Sequence, residues 1–292
     1  MRGFGRFNPV SVCGYFLCTA GLAMFFPHPA LTALSLLGAV TLFFVEFPRK
    51  NPLSHLYCLG LLAVMTLINP LFQHNGKTVL LIVNDNPVTL EALLYGLNAA
   101  VSVVSVIYWF RVFTNLMTSD RLLYLLGRLS PKLSLILSMA LRYVPLFGAQ
   151  ARKVRQAQTA MGLYSGDNLP DRVRGDGRVF SVMVTWALEN GIITADSMTA
   201  RGYGTRRRSS FSLFRFTASD ALLLGISLLL CGVCVFAGAA GALDFSFYPA
   251  FTPLIKEPLT VFALACYAFL AFLPTIIELS ENIKWHCLKS AI

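Results

Sequence analysis

Six stretches of this chain are apolar for 17 residues or more, and their spacing limits the fold before any motif is read. They fall at about 10–26, 30–47, 56–72, 90–110, 218–240 and 258–279. A helix needs about 20 mainly apolar residues to cross the hydrocarbon core of a bilayer. In that solvent only helices and closed barrels satisfy their own backbone. With 56% hydrophobic and 13% charged residues and a mean hydropathy of +0.65, the 292-residue chain is far too apolar for a soluble domain. The expected fold is an all-α integral membrane protein with about six transmembrane helices and further long amphipathic helices. The first stretch follows Arg2 and Arg6 as a signal peptide would, but it ends at Pro27-His28-Pro29 and leads straight into the next, which reads as an uncleaved anchor.

The breaks between stretches are short except between the fourth and fifth, where more than a hundred residues intervene. The chain therefore divides into N-terminal spans (1–118), a central region (119–217) and a C-terminal pair of spans (218–292). With the N-terminus inside, 22 of the 24 Lys and Arg fall on inside segments, leaving only Lys77 and Lys256 outside. Cytoplasmic loops carry such an excess, so both termini and the central region are expected on the cytoplasmic side of the cell's inner or cytoplasmic membrane. The net charge of +10 then faces one leaflet, where it also attracts anionic lipid. Arg206-Arg207-Arg208, just before a span, reads as a topology determinant; no aromatic platform accompanies it for nucleic acid.

Within the central region, "LSLILSMALRYVPLFGA" (133–149) is apolar but carries Arg142 and follows Lys132. Leu133, Ile136, Leu137, Ala140, Val144, Phe147, Ala151 and Val154 recur at three- and four-residue intervals, with Arg152, Lys153, Arg155 and Gln156 mostly off that line. That pattern predicts a long amphipathic helix at the membrane surface, starting at Ser130-Pro131, kinked at Pro145 and ending at Gly162. A second is expected after Asp176-Gly177, through Phe180, Met183, Val184, Ala187, Leu188, Ala195 and Met198 to Gly202. "LYSGDNLPDRVRGDG" between them reads as a polar loop, and a shorter helix, Ser119 to Leu129, precedes both. Outside the membrane, "KTVLLIVNDNPVTLEA" predicts a short hairpin.

No catalytic constellation emerges. The 14 acidic residues are dispersed, His28, His55, His74 and His286 are isolated near span ends and read as interfacial residues, and no Gly-Lys-Ser/Thr phosphate loop occurs. Cys231-Gly-Val-Cys234 lies in an apolar run and reads as packing. Asp196-Ser197-Met198-Thr199-Ala200-Arg201 resembles the opening of the CDP-alcohol phosphotransferase motif, but Ser210, Phe214 and Ala218 stand where Gly, Asp and Asp are needed to hold metal. The expectation is a non-enzymatic chain that binds no cofactor or metal.

Two helix ends then stand out, Ala160-Met161-Gly162 and Ala200-Arg201-Gly202. Glycine at such a position stops a helix in the left-handed conformation, which explains each glycine but not the recurrence. "MALRYVPLFGAQARKVRQAQTAMG" and "TWALENGIITADSMTARGYG" resemble the two coupling helices, with terminal Ala-Arg-Gly signatures, of the transmembrane T component of energy-coupling factor transporters, the family of EcfT and CbiQ. The likeness extends to the flanking spans. It implies a non-catalytic coupling subunit of an ABC-type importer. Two ABC-type ATPases, which carry the ATP and magnesium, would seat the tips Ala160, Met161, Gly162 and Ala200, Arg201, Gly202. A separate S component, holding a vitamin, its precursor or a transition-metal ion, would dock on the apolar faces at Leu137, Val144, Met183 and Leu188. Met161 stands where the first signature has arginine. Either that tip docks by apolar contact, with Arg152, Lys153 or Arg155 supplying charge, or the coupling to the two ATPases is asymmetric. The alternative reading is a self-contained permease or channel, for which the spans offer Asn69, Asn98 and Glu278 but no charge pair.

Overall fold

Long apolar runs with prolines confined largely to their first turns make most of this chain helical. The computed structural model describes residues 3–46, 53–73, 76–83, 86–163, 169–205, 214–248, 252–254 and 257–290. A 3-10 turn at Gly3–Arg6 leads into α1 (Pro9–Phe25), α2 (Pro29–Glu46) and α3 (Leu53–Phe72). Two strands, β1 (Val79–Val83) and β2 (Asn86–Thr89), precede α4 (Leu90–Leu116) and α5 (Ser119–Leu129). Then come α6 (Pro131–Ala160), α7 (Leu169–Ala200), α8 (Ala218–Ala239) and α9 (Pro258–Ser290). Pro9, Pro29, Pro131 and Pro258 each open a helix, where the missing N–H is not needed.

Packing divides the chain into two units, one within Met1–Leu122 and Phe214–Ile292, the other within Leu123–Leu213. In the first, α2 packs on α4 and α9, α3 on α4, and α1 on α8. Its centre is an aromatic cluster in which Tyr15 and Phe16 meet the ring of Trp109 edge-on at 6.2 and 5.9 Å. Buried polar side chains tie the helices together. The indole of Trp109 donates to Ser35 Oγ at 3.0 Å, Thr32 Oγ1 to Asn98 Oδ1 at 2.6 Å, and Tyr15 OH to the Leu270 carbonyl at 2.8 Å. In an apolar solvent such bonds hold helices in register where apolar contact alone does not distinguish neighbour from lipid. Gly38 lets α2 approach α9 closely, since a Cβ there would lie 2.8 Å from that of Ala271.

The expected hairpin is present. β1 and β2 pair antiparallel from Val79 with Thr89 to Val83 with Asn86; Asn84 and Asp85 lie outside the described residues, as does Arg206-Arg207-Arg208. Buried Glu91 fastens the hairpin to α4 by accepting from Thr78 Oγ1 at 2.7 Å. The helices overrun the apolar stretches, α4 to Leu116 and α9 to Ser290, because a helix does not stop where its apolar content does. Cys13, Cys18, Cys58, Cys231, Cys234 and Cys266 are in no disulfide, and the Cys234 thiol is buried against the Ala263 carbonyl.

Among the described residues six helices are long and apolar enough to span a membrane, so the chain is a multi-pass membrane protein: α2, α3, α4, α6, α8 and α9. This set differs from the sequence expectation in two places. α1, at 17 residues, is the shorter apolar helix, and α6 enters with the least apolar window of the six, none of it buried. Length and mean hydropathy admit α6; its periodic face and Arg142 are what set it apart from the others.

Because α2 and α9 meet at a bare glycine, Gly38→Val is expected to lower stability by about 1–3 kcal/mol through overpacking, whereas Gly60→Ala, with open space around it, is neutral. Thermal unfolding of the two variants in detergent checks this, and equal melting temperatures would place the close contact elsewhere.

Candidate functional site

The second unit, which α5 enters at Leu123, is built from helix ends and one antiparallel pair. α5 carries Asp120 in its first turn and Arg128 in its last, matching the helix dipole at both ends. Ser130 sits extended as the N-cap of α6 without a side-chain capping bond, and Ser134 Oγ reaches back to the Leu123 carbonyl at 3.0 Å. That bond folds α6 against α5 where Gly127 leaves room, a Cβ there falling 3.2 Å from Ser134 Oγ.

α6 and α7 run antiparallel. Tyr143 OH and Thr194 Oγ1 share a hydrogen bond of 2.7 Å near one end. Phe147 meets Trp186 edge-on at 5.7 Å in the middle, and Arg155 pairs with Asp176 Oδ1 at 2.6 Å near the other end. The Arg178 guanidinium adds a bond to the Leu163 carbonyl. Both members of the ion pair are about half exposed, so it contributes at most about 1 kcal/mol; the aromatic pair and the Tyr143–Thr194 bond set the register. α6 runs through Pro145 as one helix.

One expectation is corrected here. α7 begins at Leu169, so Pro170 to Gly177 of the supposed polar loop is helical. Pro170 fits the first turn, Asp171 favours the positive end of the dipole, and Gly175 is buried, a close-packing position rather than a breaker. Residues 164–168 of that loop lie outside the described residues.

The two helix ends have the same construction. At the first, Met161 is the C-cap and Gly162 has φ 72°; Gly162 N–H donates to Thr159 and Leu163 N–H to Gln158. At the second, Arg201 takes the cap position and Gly202 has φ 78°, with Gly202 N–H donating to Thr199 and Tyr203 N–H to Met198. Both are Schellman stops, in which a left-handed glycine lets two N–H groups turn back onto orphan carbonyls. The same pattern closes α8 at Ala240-Gly241. The stop is thus general, and what distinguishes the first two is what they display. Ala160, Met161, Gly162, Ala200, Arg201 and Gly202 are all exposed, Met161 to 64%.

Of the three cations near the first tip, Arg152 and Lys153 are exposed, while Arg155 is engaged by Asp176. Leu137, Val144 and Leu188 are exposed along the helix faces; Met183 is half-buried. Periodicity found these faces but missed what joins the helices, because Tyr143 and Thr194 read as neutral positions beside the apolar lines and Asp176 read as the end of a loop. Their one sequence signal was Pro170-Asp171, a helix opening. The described residues hold no group of three His, Cys, Asp or Glu arranged for a metal. Buried His28 bonds the Leu254 carbonyl at 3.1 Å, so it is a core group rather than a rim one, and His55 bonds Tyr108 OH at 2.8 Å.

A family profile described as cobalt transport protein, CbiQ, matches residues 8–212, more than two thirds of the chain. Among curated proteins, the uncharacterized protein MG181 homolog of Mycoplasma pneumoniae is 27% identical over 172 residues, covering 54% of this chain and 40% of that protein. Uncharacterized protein MG181 of Mycoplasma genitalium is 26% identical over 186 residues, covering 60% of this chain and 44% of that protein. The matches span less than half the length of these curated relatives.

If the Tyr143–Thr194 bond sets the register of the pair, a double-mutant cycle of Tyr143→Phe and Thr194→Val gives a coupling of about 0.5–1.5 kcal/mol. Hydrogen exchange of the α6 and α7 amides reads it, and additive effects would show the hydroxyls to be independent.

Proposed function

The chain belongs to the CbiQ cobalt transport protein family, a membrane component of a transport system, and on that footing we propose that it is the transmembrane coupling (T) subunit of an energy-coupling factor importer. Two ABC-type ATPases bind the helix tips and do all the chemistry with ATP and magnesium. An S component carrying a vitamin or a transition-metal ion rides on the exposed faces of α6 and α7. The protein sits in the cytoplasmic membrane, with both termini and the α5–α7 unit on the cytoplasmic side.

The observation that carries this reading is the pair of like-built stops at opposite ends of one antiparallel hairpin. From the Tyr143–Thr194 pair, α6 continues to Ala160 in one direction and α7 to Ala200 in the other. At 1.5 Å per helical residue the tips stand about 35 Å apart, room for two separate subunits rather than one. Each tip offers a narrow end, an alanine and a glycine, with one projecting side chain. At Arg201 that is a guanidinium with five donors, suited to carboxylates or carbonyls lining a groove. At Met161 it is a flexible thioether that adapts to an apolar pocket. Arg152 and Lys153 supply charge beside it, and Arg155 stays with Asp176. ATP-driven closure of the ATPase pair then moves both ends of one rigid hairpin and reorients the S component on its faces.

Co-purification of the complex tests this. Arg201→Glu is expected to release an ATPase and abolish uptake while the chain still inserts, and Met161→Arg to retain both ATPases. A charge at Val144 is expected to weaken recovery of the S component and leave the ATPases bound. Intact assembly and uptake in the Arg201→Glu variant would remove that tip from the interface.

A further inference from the structure

The chain enters and leaves the α5–α7 unit at two places, before Leu123 and after Leu213, and both approaches are fastened to one short N-terminal segment. Arg121 stands in the first turn of α5. Its side chain is among the largest fully buried ones, 1% exposed. Its guanidinium donates to the carbonyl of Leu116, the last residue of α4, at 2.9 Å and also to the carbonyl of Gly5. Burial draws its pKa below the ordinary arginine value, and the group remains charged. Asp220 stands in the first turn of α8. One carboxylate oxygen accepts from Asn8 N–H at 2.7 Å, and the other accepts from Thr217 N–H at 2.8 Å and its hydroxyl at 2.6 Å. The Asp220 carbonyl accepts from Ser11 Oγ at 2.9 Å.

The N-terminal segment is itself held. Phe4 is wholly buried against Tyr15 and Phe16. Phe4 N–H donates to Glu278 at 2.8 Å and Gly3 N–H to Glu281 at 2.6 Å, both on α9. Gly3 has φ 62°, and a Cβ there would run into the Glu278 carboxylate. Residues 3 to 11 therefore grip α9 with their start, α5 with Gly5, and α8 with Asn8 and Ser11.

We propose that this segment is a bracket that fixes the two approaches to the α5–α7 unit relative to each other, with Arg121 and Asp220 as positioning residues for coupling. The proposal rests on the coupling-subunit reading. Buried ionic groups are often replaceable by packed apolar side chains at little cost to stability. What such a replacement cannot reproduce is a directional tie among three elements distant in sequence. If the hairpin is driven at its tips, the stroke becomes motion of an S component only when the chain at Arg121 and at Asp220, both within the first unit, holds still. Released, the same stroke is absorbed at the joints, and ATP is spent without transport.

The test uses the full complex of this chain, its ATPases and its S component in proteoliposomes, reading substrate taken up per ATP hydrolysed. Arg121→Ala and Asp220→Ala are expected to keep the ATPases and S component and to hydrolyse ATP at about the wild-type rate, with uptake per ATP reduced about tenfold, within the usual range for coupling between sites. Arg121→Lys keeps the cation without the planar fork; it covers the case in which the alanine variant does not fold, and is expected to give an intermediate ratio. Gly38→Val, a destabilising change away from the bracket, is expected to keep the wild-type ratio. A wild-type ratio in the Arg121 and Asp220 variants, or an equal loss in Gly38→Val, overturns the bracket while leaving the coupling reading intact. A wild-type complex without ATP-dependent uptake overturns the coupling reading itself, and the bracket with it.

Discussion

A helix satisfies its backbone everywhere but at its ends, where four N–H groups and four carbonyls are left over, and in an apolar solvent each leftover costs several kcal/mol. How this chain settles its helix ends determines most of the rest. Asn8 and Thr89 cap α1 and α4 from their own side chains. Asp220 completes a capping box with Thr217 and at the same time receives the N–H of Asn8. Arg121 covers the final carbonyl of α4. α6, α7 and α8 close on left-handed glycines. Where the solution uses a distant residue, helices become tied to one another; where it uses a local glycine, the end stays free to meet something else. The first kind gathers around the N-terminal segment, and the second kind forms the tips of α6 and α7.

The two units differ in the same sense. In the first, apolar side chains close over a core containing Trp109, Tyr15, Phe43 and Tyr267, all nearly or fully buried. In the second, α6 and α7 run to 30 and 32 residues, yet few of their residues are buried, Gln158, Gly175 and Val179 among them. Val144, Phe180 and Leu188 are 65–70% exposed. At roughly 25 cal/mol per Å² of apolar area removed from water, covering these faces is a substantial driving force that the pair cannot realise by itself. Lipid, or the S component of the proposed complex, can supply it.

Much of this was legible in the sequence because it depends on local signals. The opening of α6 is marked by Pro131 at its first position, though Ser130 makes no side-chain cap, and Gly162 and Gly202 mark the stops at the residues where φ turns positive. The start of α7 was misread for an equally physical reason. Pro170, Gly175 and Gly177 are loop residues by propensity, and only packing against a neighbour makes a buried mid-helix glycine favourable. The candidate tips were readable as sequence, but their placement at opposite ends of one hairpin depends on the Tyr143–Thr194 and Arg155–Asp176 pairs, which join residues far apart in the chain. Arg121 was invisible for a further reason. It donates to the backbone carbonyls of Leu116 and Gly5, which no side chain elsewhere in the sequence advertises.

The central claim is that one chain presents two separate docking points to two ATPases. Site-specific photo-cross-linking in the intact complex, with a photoreactive side chain at position 161, at position 201, or at both, addresses it directly. The account predicts an ABC-type ATPase adduct from each position and a chain carrying two ATPases from the double label. Adducts confined to lipid, or one ATPase copy captured from both positions, would contradict it.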